Sequence, residues 1–100
     1  MSLFKTNTVY SLKLNSGEEL IAKVISTDDI FITVEEPVSI APGPQGMGLV
    51  PSIFTADPKG IFRLNTSSIS VFAETEDAVK MKYLEATTGI RVPDKKLIMG

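Results

Sequence analysis

Between Val9 and Glu35 the chain carries three extended, β-rich segments separated only by Asn15-Ser16-Gly17 and Thr27-Asp28-Asp29. Connections this short cannot cross over a sheet. The segments must fold back on one another as an antiparallel meander. Val9 to Leu14 alternates, with Tyr10, Leu12 and Leu14 on one face and Ser11 and Lys13 on the other. Glu18 to Ser26 places Leu20, Ala22 and Val24 on one face and Ile21, Lys23 and Ile25 on the other. Ile30 to Glu35 is rich in β-branched and aromatic residues. Gly17 suits a turn that needs positive φ. Apolar residues on both faces of the second strand imply strong curvature, or a second surface that a neighbour covers.

Punctuation then thickens. Pro37 ends the third strand or marks a sheet edge, with Val38-Ser39-Ile40 a short extended continuation. Ala41 to Gly48 is dense in Gly and Pro and reads as a rim loop. Leu49 to Thr55 forms a further strand, and Asp57-Pro58-Lys59-Gly60 a turn. Ile61 to Leu64 and Ile69 to Phe72 are two short strands around Asn65-Thr66-Ser67-Ser68. Thr75 is placed to cap a helix from about Glu76 to Thr87, with Glu76 and Asp77 in its first turn. Its apolar residues Val79, Tyr83 and Ala86, with Met81 and Leu84 beside them, recur at helical spacing, and Gly89 follows as a stop. Ile90 to Gly100 is a loose terminus or an arm for a neighbouring subunit.

At 100 residues with 43% apolar composition the chain supports one modest core. It holds no Cys and no His. Thiolate nucleophiles, disulfides, zinc–thiolate sites and imidazole bases are therefore excluded. Adjacent acids such as Glu18-Glu19 and Glu35-Glu36 point to opposite strand faces and make no acid–base dyad. The segment Gly43 to Gly48 lacks the Gly-Lys-Ser/Thr of a phosphate loop, and Pro44 removes a backbone donor. No enzyme, metal or cofactor is expected. The net charge of −2 argues against a broad basic nucleic-acid platform. The chain has no run long enough for a membrane helix and no secretory h-region, so a cytoplasmic protein without a membrane partner is expected.

The stretch Leu12 to Asp29 resembles the first signature motif of Sm and Sm-like (LSm) proteins. Leu12, Leu14, Gly17, Leu20, Ala22 and Val24 stand at its apolar, glycine and small positions, and the closing turn ends in Asp. The second motif has a counterpart in Ile61 to Asn65, although Leu64 follows Arg63 where the family has Gly. Ile32, or Phe31 with a one-residue shift, stands where the family places a base-reading Asn. The resemblance implies a small, strongly bent five-stranded antiparallel barrel over residues 1–74, with a C-terminal α-helix and tail over 75–100. It implies a non-enzymatic homo-oligomeric ring in which the fourth strand of one copy pairs with the fifth of the next. The segments Ile61–Leu64 and Ile69–Phe72 are the candidate edges. It further implies binding of single-stranded RNA with altered base specificity, through Asp28, Asp29, Phe31, Arg63 and Asn65. A protein-interaction or assembly module on the same fold, without nucleic acid, is the competing expectation. By their residue types alone, Asp28 and Asp29 read first as turn carboxylates bonding local backbone and Phe31 first as a core residue, whereas Arg63 reads equally as an ion-pair residue.

Overall fold

The structure is a computed structural model and describes residues 4–44, 46–53, 55–57 and 59–88. The strands are β1 (Thr8–Leu14), β2 (Glu19–Thr27), β3 (Phe31–Gly43), β4 (Gly46–Pro51), β5 (Ile61–Asn65) and β6 (Ile69–Glu74). One helix, α1 (Asp77–Thr88), follows. The chain is mainly β, with every strand pair antiparallel. The tail expectation for Ile90 to Gly100 falls outside the described residues.

The expected meander is present: β1 pairs β2, and β2 pairs β3. Gly17 takes a φ of +95° in the first turn, as a turn glycine should. The sheet runs β4-β3-β2-β1-β6, with β5 on the other half of β3. Among the described residues it has six strands rather than five, and its path is open. Phe31 to Glu35 pairs with β5, whereas Val38 to Gly43 pairs with β4.

The division falls at Glu36 and Pro37. Ile21 pairs with Val38 and Lys23 with Glu35, so Ala22 alone faces two residues of β3. This is a β-bulge, and Glu36 sits in it at a φ of +49°. Pro37 therefore does not end β3. A bulged residue needs no ladder N–H, so proline is tolerated there, and the strand continues to Gly43. Ala22 is fully buried opposite the bend, where a larger side chain would meet the folded strand.

The Gly/Pro segment also departs from expectation. It is a hairpin rather than a loop, with Ala41 paired to Gly48, Pro42 to Met47 and Gly43 to Gly46. Beyond Ser39, β3 has no partner on its β2 side among the described residues, so the missing N–H of Pro42 breaks no described ladder there. β4 consequently starts at Gly46 and ends at Pro51, instead of running from Leu49 to Thr55. The arm ends in the Ser52 N–H bonding the Pro37 carbonyl at 3.2 Å.

Two cores result. Tyr10, Leu12, Leu20, Ala22, Val24, Ile32 and Val34 form the first. Phe62 and Leu64 from β5 and Ile69 and Phe72 from β6 pack against it, so the two ends of the sheet curl over one apolar interior. The second core uses the other sheet face: Val9, Ile21 and Val38 beneath Tyr83, with Ile40, Leu49, Val79 and Leu84 around them. The second apolar face of β2 is thus covered by the chain's own helix.

The helix meets the sheet on a narrower stripe than its sequence implies. Val79, Tyr83, Leu84 and Thr87 face inward, whereas Met81 is 59% exposed and Ala86 is exposed. Thr75 does not cap it: its hydroxyl lies 3.0 Å from the Ser11 hydroxyl and is buried. The Glu76 carboxylate takes the Ala78 N–H instead, at 3.0 Å. The Tyr83 hydroxyl points its proton between the carbonyls of Glu35 and Glu36, at 3.1 and 3.0 Å. Burial pushes its pKa well above the ordinary tyrosine value. Lys59 closes the other end, donating to the Thr87 carbonyl at 3.0 Å.

Replacing Tyr83 with Phe removes the shared bond at the bulge and leaves those carbonyls poorly satisfied. Urea unfolding should show a loss of about 1–2 kcal/mol with an unchanged m-value.

Candidate nucleic-acid interface

The residues singled out by the resemblance come from the turn before β3, the first residue of β3 and the strand β5. The turn is built by Asp28. Its Oδ1 accepts the N–H groups of Ile30 and Phe31, each at 2.8 Å, and its own N–H bonds the Phe31 carbonyl at 2.9 Å. Asp28 thus has the local-backbone role of a turn carboxylate. Asp29 is exposed beside it.

β5 then sets the geometry. Phe31 pairs directly with Asn65, and Thr33 with Arg63. Phe62 and Leu64 point into the first core, so Ile61, Arg63 and Asn65 face outward with Phe31. Arg63 is the diagonal neighbour of Phe31, a distance that a long side chain spans. Its guanidinium carbon lies 4.8 Å from the Phe31 ring centroid, a cation–π contact. Its Nη2 lies 3.7 Å from Asp28 Oδ2. Phe31 is only half-buried and belongs to neither core, contrary to the plain expectation for a strand Phe. Its position at the start of β3, beside the exposed turn, explains this.

Asn65 caps a 3-10 turn, Thr66–Ser68. Its Oδ1 accepts from the Ser67 backbone N–H at 2.9 Å and the Ser67 hydroxyl at 2.7 Å. Asn65 is exposed on β5. The turn is tied to the other loop, since Thr66 donates from N–H and hydroxyl to the Ile30 carbonyl at 2.8 and 3.0 Å. Asp28, Phe31, Arg63 and Asn65 therefore form one surface cluster on two mutually bonded loops. Asp29 lies at its margin. Chemically the cluster offers an aromatic ring, a guanidinium, an amide and the Asp28 carboxylate. That set is suited to stacking and to charged contacts.

A second feature had no sequence signal. A groove of about 560 Å³ runs between the start of α1 and the sheet, over Ile21, Ile40, Leu49 and Val79, with Glu19 and Lys82 on its rim. Only the tertiary arrangement of arm and helix creates it. Among the described residues, no three acidic side chains are placed to hold a cation. No described helix is long and apolar enough to cross a membrane.

The Asp28 carboxyl is held below the ordinary carboxylate pKa, first by the Phe31 N–H, then by that of Ile30, with Arg63 adding a smaller share. A lowered folded-state pKa stabilises the fold above the ordinary carboxylate value and is lost as pH falls through the lowered one. Carbon-13 NMR should place the Asp28 midpoint below about 3.9. In an Arg63→Ala variant most of that depression should persist, because the backbone donors come first. A return to the ordinary value would assign it to the arginine.

No protein-family model matches the chain, and no curated protein matches it.

Proposed function

We propose that the chain is a cytosolic, non-enzymatic, Sm-like module that assembles with copies of itself into a closed ring. The observation that carries this reading is a pair of half-used strands. β5 pairs only with β3, and β6 only with β1, among the described residues. The two are joined by a single 3-10 turn and do not pair with each other. Each presents an unpaired edge, at either end of a sheet whose ends share one core. Unpaired edges demand partners, and two different edges on one chain make a head-to-tail contact that closes by rotation. These are the strands that the Sm-like resemblance nominates. Ile61 on β5 and Val71 on β6 are 65% and 61% exposed, and both face outward beside these edges. In this reading the bent barrel is completed between subunits rather than within one.

Single-stranded RNA is the ligand that the Asp28–Phe31–Arg63–Asn65 cluster fits. An aromatic face with an adjacent guanidinium is a stacking platform that tolerates many bases. Asn65 supplies a donor, and Ile32 cannot substitute for a base-reading Asn because it is buried in the core. Base preference should therefore be weak. Assembly without nucleic acid is the second reading. It is favoured by the Arg63 guanidinium already lying on Phe31 and facing Asp28.

Native mass spectrometry should show a closed oligomer, and Val71→Asp should shift it toward monomer. A wild-type monomer across micromolar concentrations would sink the ring. RNA affinity should fall steeply with salt, and Arg63→Ala should reduce the salt slope by about 1. Phe31→Ala should cost about 1–3 kcal/mol of binding. Salt-insensitive or absent binding selects the assembly reading.

A further inference from the structure

We propose that Asp28 is a positioning residue that holds Arg63 closed over Phe31, so that an RNA base must displace this latch to reach the ring. The inference rests on the RNA reading above, and it reverses the part given to Asp28 there: its charge opposes binding instead of contacting the ligand.

The geometry separates the two oxygens of Asp28. Oδ1 is occupied by the Ile30 and Phe31 N–H groups, which fix the carboxylate against the chain. Oδ2 is left facing Arg63 at 3.7 Å. A carboxylate anchored in this way keeps Oδ2 directed at Arg63, so a base N–H could take that oxygen only in competition with the guanidinium. Arg63 in turn lies over the Phe31 ring, its guanidinium carbon 4.8 Å from the centroid, and occupies that face. Phosphate and Asp28 would compete for the same guanidinium, and a base and that guanidinium for the same ring. Both side chains of the pair are more than half exposed, so the latch is weak and opens readily. Its effect is a modest tax on affinity, as for any binding-competent state that is only partly populated.

Asp28→Asn tests this without disturbing the turn, because an amide oxygen still accepts the two N–H groups while the charge is lost. Asp29→Asn is the control: it removes the same charge one residue away, on a side chain that neither orders the turn nor faces Arg63. Binding of short fluorescein-labelled oligouridylate and oligoadenylate would be measured at low salt. Asp28→Asn should tighten binding about two- to five-fold, the range set by an exposed ion pair, and Asp29→Asn clearly less. Weaker binding by Asp28→Asn overturns the proposal and makes Asp28 a ligand contact. Equal tightening by both variants also overturns it, leaving net charge as the cause.

A second readout needs no RNA. Water exchange of the Arg63 Nε proton, followed by NMR, should quicken in Asp28→Asn and not in Asp29→Asn. Exchange unchanged by Asp28→Asn removes the latch even if RNA binds. Quickened exchange with no oligonucleotide bound by any of the proteins keeps the contact, and overturns both the RNA reading and the competition built on it.

Discussion

The bend in β3 is the constraint on which the rest of this structure depends. At one point two residues, Glu36 and Pro37, stand opposite Ala22 alone, and Glu36 enters the left-handed region. A residue other than Gly in that region costs roughly 1–2 kcal/mol, so the surroundings must hold it there. Tyr83 does so from outside, by bonding the carbonyls on the turn of the bulge. Ala22 does so from inside, by leaving room. Without the bend, β3 would pair along its length with a single neighbour. With it, one half takes β5 and the other takes β4, and the curled sheet and the protruding arm arise together.

The bend also explains how a chain of this size supports two apolar clusters. The first is enclosed by the curl itself, with side chains from both ends of the sheet reaching it. The second lies on the opposite face and depends on one 12-residue helix. That helix is short for an isolated one to be stable in water, so packing must supply what propensity does not. Four anchoring positions do this: Val79, Tyr83, Leu84 and Thr87. Lys59 adds a charge at the helix's carboxyl end, where the dipole favours a cation.

The same curl sets the functional surface. Because β5 directs Phe62 and Leu64 inward, Arg63 has to point out, and its register beside β3 brings it over Phe31. Asp28 serves the turn before it serves any ligand. Among the described residues the edges of β5 and β6 remain unpaired, because their connection, one 3-10 turn, carries the chain from one end of the sheet to the other without pairing them. The assembly reading and the RNA reading therefore share a single origin in the path of these two strands.

Sequence by itself determined what depends on neighbours along the chain. The first two hairpin turns, the inward row Tyr10, Leu12 and Leu14 with Leu20, Ala22 and Val24, and the presence of a C-terminal helix were all legible. So was the turn chemistry of Gly17 and Asp28. Period-two patterning and turn residues act locally, and no distant contact overrode them here. Only the tertiary structure decided the rest. Pro37 and Pro42 look like strand breakers until the ladder shows that neither position needs its N–H. Thr75 looks like a cap until Ser11, 64 residues away in the chain, takes its hydroxyl. Phe31 looks like core until its place beside an exposed turn leaves it half uncovered. The union of Asp28 with Arg63 depends on a strand pairing between distant segments. Such pairings follow from the backbone register of the folded sheet, which residue order alone does not specify.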